Sequence, residues 1–131
     1  MIDRQATCRC GKLAIRTRGE PVRVSICHCL ACQRRTGSVF SAQARFASDT
    51  VTTEGQGREY VRVGESGQAA RFRFCAECGA TVFWQSDALP GFVTVAVGAF
   101  ADSGFPPPQV SVYEERQHAW LRLPDEMEHI F

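Results

Sequence analysis

The cysteines of this chain, seven in 131 residues, fall into three tight clusters, and any fold it adopts must bring them into chemically sensible company. Cys8 and Cys10 lie in CRCG, Cys27, Cys29 and Cys32 in CHCLACQRRTGS (Cys27 to Ser38), and Cys75 and Cys78 in CAECG. The opening stretch MIDRQATCRCG lacks the apolar core of a secretory signal, and no run approaches the length of a membrane span. The expected setting is the cytoplasm, where thiols stay reduced and clustered cysteines read as metal ligands or catalytic groups ahead of disulfides. An odd count agrees with that.

Seven divides into four and three. Structural zinc normally takes four protein ligands, whereas catalytic zinc keeps three and leaves a position for water or substrate. In CAECG two thiolates can reach one metal from a tight turn, and Gly79 tolerates the positive φ such a turn often needs. CRCG supplies a second pair, which gives the set Cys8, Cys10, Cys75 and Cys78. The competing arrangement joins CAECG to two of the central cysteines.

Cys27, Cys29 and Cys32 then form an open site, or alternatively a second structural zinc completed by another group. Strand alternation sends Cys27 and Cys29 one way and His28 the other, so His28 is not expected as a ligand. It either packs and hydrogen-bonds locally or serves in acid–base chemistry, where it is the best placed proton carrier by sequence. Three thiolates leave a zinc site with net charge −1, poorly suited to generating hydroxide and better suited to a soft ligand such as a substrate thiol. Arg34 and Arg35, beside the cluster, either offset that charge, grip a carboxylate with paired donors, or form an ordinary solvated turn.

Around these clusters the chain reads as all-β with little helix, in a single domain spanning residues 1–131. Leu13 and Ile15 alternate with polar residues up to Arg18, and Val22, Val24 and Ile26 form a strand running into Cys27. Leu30 to Thr36 suits a helical turn closed by Gly37. Val39 to Phe46 alternates again. Glu54 to Gly57 reads as a hairpin turn between Val51–Thr53 and Glu59–Val63, and Gly64 to Gly67 as another turn. Phe72 and Phe74 share one strand face and Arg71 and Arg73 the other, which favours a half-buried strand. Thr81 to Trp84, Phe92 to Val97 and Val110 to Tyr113 complete the strands, and the tail from Trp120 to Phe131 has no firm pattern. With 22% charged residues and a formal charge of +1, the chain lacks the basic character of a nucleic-acid binder.

Three stretches carry a resemblance: TCRCGKL (Thr7 to Leu13), CHCLACQRRTGSVF (Cys27 to Phe40) and RFRFCAECGATVFW (Arg71 to Trp84), with weaker similarity through SVYEERQHAW (Ser111 to Trp120). The chain resembles the glutathione-dependent formaldehyde-activating enzymes, the group that includes the centromere protein V-like proteins. That resemblance implies a tent-like fold of several coiled antiparallel sheets, a structural zinc on Cys8, Cys10, Cys75 and Cys78, and a catalytic zinc on Cys27, Cys29 and Cys32. It also implies a carbon–sulfur lyase that makes or cleaves S-hydroxymethylglutathione, with glutathione and formaldehyde as partners. Ser111-Val112-Tyr113 departs from the family's C-terminal pattern, which often carries a histidine there. Two other functions compete: a zinc-stabilised module that binds a protein or nucleic acid, and thiol redox sensing or metal storage at the central cysteines.

Overall fold

Alternation of apolar and polar side chains commits most of this chain to strands that bury one face. The computed structural model describes every residue except Glu65. Its strands are β1 (Asp3–Thr7), β2 (Leu13–Arg18), β3 (Arg23–Cys27), β4 (Ser41–Ala47), β5 (Val51–Gly55), β6 (Arg58–Val63), β7 (Ala69–Phe74), β8 (Thr81–Ser86), β9 (Phe92–Ala96), β10 (Val110–Val112) and β11 (Glu128–His129), with one α-helix, α1 (Leu30–Thr36). The all-β expectation holds.

The strands form a small sheet ordered β1-β2-β5 and a large one ordered β11-β10-β3-β4-β9-β8-β7-β6. Pairing is antiparallel except at one end of the large sheet, where β10 runs parallel to both β3 and β11. Ala6, Leu13 and Ile15 of the small sheet join Val24, Phe46, Val82, Val93 and Val95 of the large one in a single core cluster. Full burial of each larger side chain contributes roughly 1.5 to 3 kcal/mol. Phe100 and Phe105 stack with centroids 4.6 Å apart and belong to the same cluster. On the other face of the large sheet, Phe72 and Trp84 form a cross-strand aromatic pair with centroids 5.3 Å apart. Phe72 is buried and Phe74 half-buried, while Arg71 and Arg73 are exposed, as a half-buried strand requires.

The turn expected at Glu54 to Gly57 is not a hairpin. β5 pairs with β2 in the small sheet and β6 with β7 in the large one, so this segment carries the chain from one sheet to the other. The cause is non-local. A Cβ on Gly57 would lie 2.8 Å from the Leu13 side chain and 2.9 Å from the Phe74 carbonyl, so the backbone threads between the two sheets where no side chain fits. By contrast β6 and β7 do form a hairpin at Gly64 to Gly67, closed by Gly64 N–H donating to the Gln68 carbonyl. Glu65 in that turn lies outside the described residues.

Two strands have no alternation to announce them. β1 buries only Ala6 and is held by pairing with β2 from Asp3↔Arg18 to Thr7↔Ala14. In the tail, β11 is recruited by β10 through Val110↔Glu128 and Ser111↔His129.

Candidate metal centres

The closed cluster is built by two chain reversals. After β1, Cys8 N–H donates to the Leu13 carbonyl while Leu13 N–H donates to Cys8 Sγ at 3.3 Å. After β7, Cys75 N–H donates to the Ala80 carbonyl and Gly79 N–H to the Cys75 carbonyl. Gly79 has φ +80°, the left-handed conformation that the second reversal demands. The four sulfurs of Cys8, Cys10, Cys75 and Cys78 lie within 4.8 Å of one another. Cys10 Sγ stands 3.7 Å from Cys8 Sγ and 3.6 Å from Cys75 Sγ. A tetrahedron with zinc–sulfur bonds of about 2.3 Å has edges of about 3.8 Å, so the cluster fits the ion. The amide of Ala80, then that of Cys10, stabilises the Cys78 thiolate and brings that thiol down to about 6. The alternative pairing of CAECG with central cysteines is not the one formed.

The second cluster gathers Cys27, Cys29 and Cys32, again with all sulfurs within 4.8 Å of one another. β3 delivers Cys27 between Ser41 of β4 and Val112 of β10. Cys29 then caps α1, its Sγ accepting from Cys32 N–H at 3.3 Å, and Gly37 closes the helix with φ +73°. Hydrogen bonds from Cys27 and then Cys32 bring the Cys29 thiol down to about 2, and the same coupling pushes Cys27 up. Crowded thiols resist ionising together, so a cation held among them is what lets all three serve as thiolates. The donor set suits zinc, with three sulfurs and no fourth protein ligand among the described residues.

His28 is completely buried and outside this sulfur cluster. Its Nε2 lies 2.9 Å from Ser111 Oγ, and its Nδ1 is buried without a partner. Burial lowers its pKa, which keeps the ring neutral. His28 N–H donates to the Val112 carbonyl, so the residue fastens the Cys27–Cys29 loop to β10 by both backbone and side chain. Gln33 adds a second fastening: Nε2 donates to the carbonyls of His28 and Arg116, and Oε1 meets His118 Nε2.

Arg34 and Arg35 part company. Arg35 Nη2 donates to Ser41 Oγ at 2.9 Å, and its guanidinium lies 4.3 Å from the Trp84 ring and 5.1 Å from the Phe72 ring. It braces α1 against the large sheet. Arg34 is exposed. Both line a cleft of about 620 Å³ that Cys32 also lines, together with Tyr60, Arg62 and Phe74. Tyr60 and Arg62 had no signal in the sequence beyond the alternation of Arg58, Tyr60 and Arg62 on one face. Only the pairing of β6 with β7, with Tyr60 opposite Phe72, brings that face to the cleft. Arg62 stands close enough to Cys29 to favour its thiolate, and Arg35 does the same for Cys32.

A family model described as glutathione-dependent formaldehyde-activating enzyme matches residues 3–116. Among solved structures, a crystal structure of a Rhodobacter sphaeroides protein superimposes with a TM-score of 0.58 at 21% identity, over 79% of this chain and 91% of that one. At that identity the likeness concerns the fold. No curated protein matches the chain.

Proposed function

Since the chain belongs to the glutathione-dependent formaldehyde-activating enzyme family, we propose that it is a zinc-dependent enzyme of the carbon–sulfur lyase type. Its reaction joins a small thiol such as glutathione to formaldehyde as the S-hydroxymethyl adduct, or cleaves that adduct. The observation that carries this reading is the contrast between the clusters. Four sulfurs complete one site, while three sulfurs make the other, and Cys32 of that second set lines the cleft.

In this reading Cys8, Cys10, Cys75 and Cys78 hold a structural ion, and Cys27, Cys29 and Cys32 hold the one that serves the chemistry. Zinc bound there supplies a soft Lewis-acidic centre with one position for a substrate thiolate. The cleft admits the thiol at Cys32 and surrounds its remainder with Tyr60, Phe74 and the guanidinium groups. Formation of the adduct makes one carbon–sulfur bond, and the proton lost by the thiol is matched by one gained at the former carbonyl oxygen. His28, tied to Ser111 by its side chain and to the Val112 carbonyl by its backbone N–H, positions the Cys27–Cys29 loop. The cleft is open to water, which moves protons in and out. All seven cysteines are unbridged, which suits a reducing compartment rich in small thiols, the cytoplasm. Among the described residues no helix is long and apolar enough to cross a membrane.

Cobalt substitution tests the thiol assignment. Saturating glutathione is expected to add intensity to, and shift, the sulfur-to-cobalt charge-transfer bands, because a fourth sulfur joins the open set. A spectrum that saturating thiol leaves unchanged would remove the basis for a thiol substrate.

A further inference from the structure

The cleft beside Cys32 is lined by three guanidinium groups and, among the described residues, by no carboxylate. The three are not equivalent. Arg35 is committed to Ser41 and to the faces of Trp84 and Phe72. Arg34 is exposed at the end of α1, free to meet a ligand at the rim. Arg62, on β6, is half-buried, and its Nε is shut away from solvent without a hydrogen-bond partner. Its Cζ lies 5.9 Å from the Phe72 ring centroid, and no acidic side chain pairs with it among the described residues. Nε is closed to the cleft as it is to water, so the part of Arg62 offered to a ligand is the cleft-lining end of the guanidinium, whose Nη groups have no acceptor among the described residues.

We infer that this cleft selects thiols by a carboxylate, received by Arg62 with Arg34 at the rim, and that an α-ammonium group on the thiol goes unrecognised. This rests on the assignment of Cys27, Cys29 and Cys32 as the thiol-binding centre. The planar guanidinium fork matches a carboxylate with two parallel hydrogen bonds, and the apolar face of Phe72 beneath Arg62 limits the water that competes for it. An ammonium group finds the opposite situation: three cations and, among the described residues, no carboxylate line the cleft, and the thiolate cluster at Cys32 is taken up by the metal and the substrate's own sulfur. Glutathione carries both kinds of group, so its carboxylates anchor it and its ammonium adds nothing. The class that fits is a thiol bearing one or more carboxylates, whether or not it is an amino acid.

Calorimetric titration of the zinc-loaded protein with glutathione, N-acetylglutathione and glutathione diethyl ester tests this. N-acetylglutathione, which lacks the ammonium, is expected to bind within about threefold of glutathione or more tightly. The diethyl ester, which lacks the carboxylates, is expected to bind at least about tenfold more weakly, equivalent to about 1.4 kcal/mol. Arg62→Gln should weaken glutathione by about tenfold while moving the ester by less than about twofold. General damage to the fold would weaken both alike. Should that variant fail to fold, the three ligands on the unaltered protein decide the matter alone. If all three bind equally, or if removing the ammonium costs tenfold or more, the inference is overturned while thiol binding stands. If none binds, the thiol-binding assignment falls and takes the inference with it.

Discussion

Cys78→Ser is expected to leave the protein insoluble, or to lower its Tm by more than about 15 °C. Cys78 is one of the sulfurs that tie the reversal after β1 to the reversal after β7, and Cys10 and Cys75 are 65 positions apart in the chain. Structural zinc in small domains is worth on the order of 10 to 16 kcal/mol of apparent binding energy, against about 5 to 15 kcal/mol of total stability for a typical domain. Cys8 and Cys75 are also part of the core cluster, so loss of the ion leaves buried thiols crowded together where the sheets meet. Thermal unfolding of the variant beside the parent, each with its zinc content measured, checks this.

Cys29→Ser should behave differently. Its cluster is local in sequence and closes no long loop, so little unfolded-state entropy is at stake. Cys29 also caps α1 through its side chain, and serine is among the best residues for that task. The helix start therefore survives. The variant is expected to stay folded, with Tm within about 5 °C of the parent, while losing one zinc and the spectral response to thiol. A fall as large as that of Cys78→Ser would make the central cluster structural and remove the enzyme reading.

Much of the site was legible because metal ligands come in short-range pairs. The CxC and CxxC spacings, the count of seven and the charge left by three thiolates are all local facts and favour the two sulfur sets, but which pair joins CAECG is settled only by the long-range approach of Cys10 to Cys75. The same holds for α1, where Gly37 marks the end that the backbone uses. What stayed hidden depends on partners far along the chain. Nothing near Glu54 to Gly57 reveals that β5 pairs with β2 while β6 pairs with β7, because a turn signal does not name the strands it separates. Arg34 and Arg35 look alike in sequence, and only Trp84 and Phe72, brought together by β7 and β8, take Arg35 out of ligand binding. Arg62 enters the cleft through the pairing of β6 with β7. His28 acquires its role from Ser111, 83 positions away, across the parallel contact of β3 with β10.

The central claim is one closed and one open zinc site, and metal analysis of protein purified without added zinc tests it most directly. Two zinc ions per chain are expected. Mild chelation should remove one, freeing three titratable thiols while circular dichroism and Tm report a protein still folded. Unfolding in step with loss of the first ion, or a single ion that leaves three thiols reactive from the outset, would contradict the account.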